Sequence, residues 1–268
     1  MSPHDSPALL LPPAAPPPRA AAGAALTWNT MGIGVGPRSR DHRGRLARLG
    51  SLVDRHRPAA VALQEVFCPR WRRLACRALR QRGYWVAAPA PAPGPGAPAR
   101  MGSGLLLATA ARPLAVLARP FSHRGVGEDR WCAAKGYLAC RLPGLTVCTL
   151  HMQSDSWLAS EASCAAARAA QLAELRRWAA FEAVAEAAPP VWVLGDFNMS
   201  PREWRRGAGR RTAPLRRCAA APTWAGRCLD RLLCTGPRPR CRRLPVVDPR
   251  ESDHHALLFA PADKDLCR

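Results

Sequence analysis

Val191–Pro201, VWVLGDFNMSP, constrains the fold more than any other stretch of the chain. Its four leading apolar residues read as a short buried strand. Gly195 ends that strand, and Asp196 and Asn198 follow with Phe197 between them. In extended chain alternate residues share a face, so Asp196 and Asn198 are expected to project together while Phe197 turns back into the core. Pro201 is expected to keep regular structure from following at once. A carboxylate beside a carboxamide at the carboxyl end of a strand suits a metal-assisted or phosphate-handling site. An Asx-turn closing a strand accounts for the same residues, so the rest of the chain has to decide.

The pattern recurs. Ala24–Thr30 reads as a strand ending at Asn29, and Ala59–Leu63 as a strand followed by Gln64-Glu65. Lys135–Arg141 and Leu145–His151 read as two strands joined at Pro143-Gly144, with His151 at the end of the second. Leu229–Cys234 reads as a strand carrying Asp230, and Leu244–Val247 as another. Asp253-His254 precedes a last strand, Ala256–Phe259. Helices are expected from Asp41 to about Arg57, over Pro69–Arg82 and over Ser160–Ala188, the last with Leu172, Leu175 and Phe181 inward. Tyr84–Ala88 reads as a strand, and Ser103–Ala108 with Leu114–Leu117 as a strand pair. Residues 202–220 read as an Arg-rich loop. The glycines at 32, 34 and 36 form a loop with no strong helix start after it, so no dinucleotide fingerprint is present. Strands alternating with helices give an α/β class. Polar groups gathered at strand ends are where α/β sheets build their sites.

Three segments follow from composition: a disordered Pro/Ala-rich leader over 1–23, one domain over 24–260, and a tail over 261–268. No apolar run of spanning length is present. The eleven Cys are scattered with no C-x-x-C pair. That spacing points to neither a disulfide framework nor a zinc knuckle, and a reducing intracellular compartment is expected rather than secretion. The formal net charge is +21, which draws a surface toward nucleic acid, anionic membrane or phosphorylated substrates. Nearly all of it is Arg, with Lys only at Lys135 and Lys264, as a GC-rich coding sequence also yields.

Together Thr27-Trp28-Asn29, Leu63-Gln64-Glu65, His151, Gly195-Asp196-Phe197-Asn198, Leu229-Asp230 and Ser252-Asp253-His254 resemble the endonuclease/exonuclease/phosphatase superfamily. That resemblance implies the deoxyribonuclease I-like fold, a four-layer α-β-β-α sandwich with its site between two sheets. It also implies metal-dependent cleavage of phosphoesters. Ala62–Phe67, Gly102–Ala108, Lys135-Gly136 and Leu150–Gln153 resemble the neutral sphingomyelinase branch. The branch implies hydrolysis of sphingomyelin to phosphocholine and ceramide, with Mg2+ or Mn2+. It implies a peripheral location on anionic phospholipid membranes inside the cell, such as the endoplasmic reticulum or mitochondrion. No obligate protein partner is implied, and nucleic acid is not the first-choice substrate. A nuclease of the same fold, or a weakly active membrane-binding copy, is the alternative. One departure is Arg130, where the branch often carries Asp five residues before the Lys-Gly lysine; Asp129 lies one position further off.

In-line attack of water on phosphorus needs charge neutralisation at phosphate, a base for water and help for the leaving alkoxide. On the matched positions Glu65 is the expected direct metal ligand, since hard cations take carboxylate oxygen. Asn29 completes the shell or holds Glu65, and Asp253 binds metal or water. His254 is the expected general base, with Asp230 on its far nitrogen. His255 points to the other face and is structural. His151 stabilises phosphoryl charge or aids the leaving group, and Asp196 and Asn198 position water and phosphate. Lys135 is an ammonium beside phosphate or plain surface.

Overall fold

The computed structural model describes residues 8–17, 21–32, 41–89, 102–123, 125–127, 133–184, 189–208, 215–217, 221–245, 248 and 251–261. Among these, two sheets face each other. The first sheet is built from β1 (Ala8–Leu11), β2 (Ala21–Asn29), β3 (Pro58–Gln64), β4 (Trp85–Pro89), β5 (Leu106–Thr109), β12 (Arg240–Leu244) and β13 (Ala256–Ala260). Their order is β1-β4-β5-β3-β2-β13-β12. The second is built from β6 (Ala115–Pro120), β7 (Gly136–Leu142), β8 (Leu145–His151), β9 (Val191–Asp196), β10 (Arg216–Arg217) and β11 (Asp230–Cys234), in the order β10-β11-β9-β8-β7-β6.

Strand alternation sorts side chains into three cores. Ala25, Ala60, Ala62, Leu107, Leu138, Trp192, Leu194, Leu232, Leu257 and Phe259 fill the space between the sheets. The opposite residues of the first sheet, such as Leu26, Trp28, Val61 and Leu63, pack on Leu49, Val53, Trp71 and Leu79. Those four come from α1 (His42–His56) and α2 (Pro69–Gln81). The outer face of the second sheet packs Cys148, Leu150, Val191 and Val193 on Leu172, Leu175, Trp178 and Trp204. Here the helices are α3 (Glu161–Val184) and α4 (Pro201–Ala208). The architecture is the expected α-β-β-α sandwich. No helix among the described residues is long and apolar enough to cross a membrane.

Several local expectations need correction. The Pro/Ala-rich leader is not wholly outside the fold: Ala8–Leu11 pairs antiparallel with Pro89–Val86 as the edge strand β1. Four residues of apolar side chain and free backbone hydrogen bonds suffice there, because Pro12 and Pro13 need only follow an edge strand rather than interrupt one. β2 likewise starts at Ala21, before the expected domain boundary. Residues 1–7 and 18–20 lie outside the described set, as do 262–268 of the tail. The strand pair expected around residues 103–117 is split, since β5 joins β3 and β4 in one sheet while β6 pairs β7 in the other. Pro201 does not stop regular structure but opens α4, where a missing N–H costs nothing. The Arg-rich loop expected over 202–220 therefore contains most of a helix and the short strand β10, although 209–214 and 218–220 lie outside the described residues. The last strand but one is Arg240–Leu244 rather than Leu244–Val247.

Candidate active site

At one end of the inter-sheet core the inward positions change from apolar to polar. In β2 the face of Ala25 continues to Thr27 and Asn29, and in β3 the face of Ala62 continues to Gln64. In the second sheet His151 of β8 pairs with Asp196 of β9, and Asp196 pairs with Asp230 of β11. Three functional side chains thus lie on one rung of the ladder, opposite Asn29. The sequence expectation that polar strand ends converge is met.

Beneath them the two sheets are tied together. The Gln64 amide donates to Thr149 Oγ1 at 2.8 Å and to Thr27 Oγ1 at 3.1 Å, with all three residues fully buried. This bridge was not anticipated. Its only sequence signal is the polar residue two before Asn29 and two before His151. A second unanticipated brace is Arg45 of α1, fully buried, which donates to the carbonyls of Thr30 and Met31 at 2.7 and 3.1 Å. It fixes the turn that follows Asn29.

Glu65 reaches the site by breaking alternation. Gln64 points inward, so an extended residue 65 would point toward the helices. Its φ of 56° instead puts it in the left-handed region, at a cost of about 1–3 kcal/mol for a side chain of this kind. The carboxylate turns back and accepts from Asn29 Nδ2 at 3.0 Å. The same Asn29 amide donates to Asp196 Oδ2 at 2.9 Å, while its own oxygen accepts from Met31 N at 3.1 Å. Asn29 therefore clamps two carboxylates together. Burial pushes Glu65 up to about 7, against the pull of the Asn29 hydrogen bond and the positive charge of Lys135 and His254. Burial likewise raises Asp196, helped by the Asp230 carboxylate.

His254 is buried and its Nδ1 lies 2.7 Å from Asp230 Oδ2. Its backbone is held by Ser252, whose hydroxyl accepts from His254 N at 3.0 Å and donates to Asn29 O at 2.6 Å. Trp28 Nε1 donates to His254 O at 3.1 Å. The outer nitrogen, Nε2, faces Asp196 Oδ2 at 3.9 Å. Burial lowers the ring's pKa, but Asp230, Asp196 and Asp253 override it and hold the pKa up at about 10. His151 behaves oppositely. Burial drives it well below its ordinary value, and the charges of Lys135 and His254 add to that. As a neutral ring it accepts from Lys135 Nζ at 3.1 Å through Nε2. Lys135 is buried rather than a surface residue.

The remaining expected residues fall less centrally. Asn198, with φ 51°, donates through Nδ2 to Met152 O at 3.1 Å, and its backbone N–H donates to Asp196 Oδ1 at 2.8 Å. D-x-N is thus an Asx-turn as well as a site element, and Phe197 is buried among the α3 and α4 residues. Asp253 is exposed, accepts from Trp224 Nε1 at 3.0 Å and sits 4.0 Å from His254 Nε2. His255 is half-buried and its N–H donates to Thr223 O. Arg130 and Asp129 lie outside the described residues.

Two overlapping groups gather ligand atoms within 4.8 Å of one another: Glu65, His151 and Asp196, and Asp196, Asp230 and His254. Asp196 belongs to both, a more central place than the sequence suggested. Asp253 belongs to neither. A divalent cation fits the first group on one further ground. Glu65 Oε2 is buried with no hydrogen-bond partner, an arrangement a carboxylate tolerates poorly without a counter-charge. Lys135 already occupies the His151 nitrogen that faces these carboxylates, so Glu65 and Asp196 are the oxygen ligands the site offers.

Residues 26–254 match the sequence model of the Endonuclease/Exonuclease/phosphatase family. No curated protein matches the chain in sequence. Among solved structures, a beta toxin from Staphylococcus aureus superposes with a TM-score of 0.71 at 13% identity, over 89% of this chain and 99% of the toxin. Sphingomyelinase C from Streptomyces griseocarneus gives 0.67 at 16% identity, over 89% and 99%. A humanized D. rerio TDP2 gives 0.64 at 17% identity, over 88% and 97%. At such identities these likenesses establish the fold. The family match spans the strands that carry every residue of the rung, from β2 to His254, and the chain belongs to the Endonuclease/Exonuclease/phosphatase family of metal-dependent phosphoester hydrolases.

Proposed function

We propose that the chain hydrolyses the phosphodiester of sphingomyelin at a membrane surface, releasing phosphocholine and ceramide. One observation carries this choice within the family. The segment leaving His151 ends in Trp157 and Leu158, which are 84% and 56% exposed. An aromatic with one apolar body and one polar edge is suited to a lipid–water interface. The segment is fixed beneath its tip: buried Arg168 donates to Gln153 O at 3.2 Å and binds Asp155 at 3.0 Å and Glu203 at 2.7 Å. Arg227, 3.9 Å from Asp155 and stacked on Trp224, adds a cation to the same rim for lipid phosphate. The sphingomyelinase C named above shares the fold.

The residues divide the reaction as follows. Glu65 and Asp196, clamped by Asn29, would hold the divalent cation, Mg2+ or Mn2+. When bound, that cation neutralises phosphate oxygen charge and acidifies water. Its positive charge beside Asp196 would lower the pKa of His254 from its high value. His254 Nε2 then takes the proton of the attacking water, while Asp230 holds Nδ1 and stabilises the imidazolium that forms. Lys135 and the neutral His151 it contacts face the opposite side of the carboxylate pair. Lys135 donates toward the phosphoryl oxygens and the departing ceramide alkoxide, positioned by the neutral His151 ring that accepts from it. Asn198 keeps the Asp196 carboxylate aimed. A peripheral location on intracellular membranes, endoplasmic reticulum or mitochondrion, accords with this chemistry.

A second reading rests on the charge of +21 and on the shared fold of TDP2, crystallised elsewhere with a single-strand DNA product: the same centre cleaving nucleic acid. Phosphocholine release from sphingomyelin vesicles carrying an anionic phospholipid, in magnesium or manganese and in chelator, tests the first. Metal-dependent release is expected. Plasmid nicking without release moves the substrate to nucleic acid. Tight vesicle binding without either activity leaves a membrane-binding copy.

A further inference from the structure

A cavity of about 690 Å³ lies on the outer face of the second sheet, on the far side of β7 and β8 from the catalytic rung. Leu138, Cys140 and Leu142 of β7 point into the inter-sheet core. Tyr137 and Ala139 therefore face the other way and form the cavity floor, with Leu117 of β6 paired opposite Ala139. The wall is one face of α3, from Glu174 through Trp178 to Glu182. The size is that of a small-molecule site.

The polar groups around this apolar floor are short of acceptors. Trp178 is only 7% exposed and its ring lies 5.3 Å from that of Tyr137. Its Nε1 is buried with no hydrogen-bond partner, although a buried indole N–H usually has one. The side chains of Arg141 on the floor and Arg177 on the wall have no hydrogen bond or ion pair among the described residues. Glu174 is committed to the Ser122 N–H at 2.9 Å, and Arg119 to the Tyr137 hydroxyl. Glu182 is the one carboxylate of the lining left to oppose two uncommitted guanidinium groups.

We propose that this cavity binds a small amphiphilic anion. An apolar chain lies on Leu117, Tyr137 and Ala139, and a carboxylate head pairs with Arg141 and Arg177. The site stands independently of which phosphoester the enzyme cleaves.

Octanoate titrated against the full chain, followed by ligand-observed NMR with 1-octanol as the uncharged counterpart, tests this. One saturable octanoate site is expected, tighter than octanol. Arg141→Ala with Arg177→Ala should erase the preference for octanoate over octanol. Leu117→Trp should block both ligands by filling the floor, and His254→Ala should leave octanoate affinity unchanged. Absence of saturable binding, or saturable binding whose preference for octanoate the double Arg variant leaves untouched, overturns the proposal. Arg177 is exposed and Arg141 half-buried, so the test survives if Leu117→Trp does not fold.

Discussion

Replacing Glu65 with Gln should make the metal-free protein more stable and the metal-loaded protein less so. The reasoning starts from burial. Glu65 has one carboxylate oxygen held by Asn29 and the other buried without a partner, and its pKa stands at about 7 against an ordinary 4.5. The folded state thus resists the charge. At 1.36 kcal/mol per unit, the ionised form above pH 7 costs about 3 kcal/mol relative to the unfolded chain. Gln keeps the acceptor for Asn29 and deletes the charge. It brings an N–H pair that must find its own partners, so a gain of about 2 kcal/mol is the expectation. For a domain of this size that is a rise in Tm of roughly 4–8 °C. Magnesium at a hundredfold excess over Kd should stabilise the natural protein by about 3 kcal/mol and the variant hardly at all. Thermal unfolding by circular dichroism at pH 8.5, in chelator and in excess magnesium, should therefore show the two proteins changing rank. A variant less stable than the natural protein in chelator would refute the burial argument. One that gained as much from magnesium would refute the assignment of Glu65 as ligand.

His254→Ala should lower turnover of vesicle sphingomyelin by roughly 10²–10⁴, the worth of a positioned base, while magnesium-induced stabilisation persists; a loss under tenfold places the base elsewhere. Metal-free stability should fall as pH rises. The folded pKa of His254, about 10, lies above its unfolded 6.5, so its contribution is complete below 6.5 and disappears as pH passes 10. Glu65 acts in the same direction between 4.5 and about 7, so a chelated Tm that climbs from pH 5 to pH 9 contradicts both. Gln64→Leu should cost about 1–3 kcal/mol by leaving Thr149 and Thr27 without their buried partner, read as a lower denaturant midpoint, with kcat reduced because the sheets lose their tie below the rung. Gly195→Ala should prevent stable folding or cost several kcal/mol. Its φ is 145° and a Cβ would stand 2.3 Å from the Leu150 carbonyl oxygen, so a soluble variant with natural Tm would show that β8 and β9 can separate.

Alternation made much of this legible in advance. Ala25-x-Thr27-x-Asn29 and Val147-x-Thr149-x-His151 announce a face that starts apolar and ends polar, and that is the face on which the site lies. The same rule could not deliver Glu65, which reaches the site only because a left-handed residue reverses the alternation after Gln64. Nor could it separate β5 from β6, since adjacent apolar runs joined by a short loop look like a hairpin whether they share a sheet or pass between two. Pro201 was misread because the signal that forbids a helix interior also suits a helix start. Asp253 looked equivalent to Asp230 and Asp196 as a carboxylate beside a motif histidine. Only the fold shows it on the rim, tied to Trp224 rather than to the carboxylate pair.

His151, Asp196 and Asp230 occupy successive positions across β8, β9 and β11, at one level of the ladder. Their spacing is therefore inherited from backbone hydrogen bonding rather than negotiated by the connecting segments. A slip of one residue in any of these strands would send its functional group to the helix side, so pairing and chemistry stand or fall together. The segments that carry Trp157 and Arg227 are under no such discipline. They can be lengthened, exchanged or recharged while the hydrolytic machinery stays where the sheet puts it. In a lineage of such enzymes, a change of substrate would need new loops and no new catalyst.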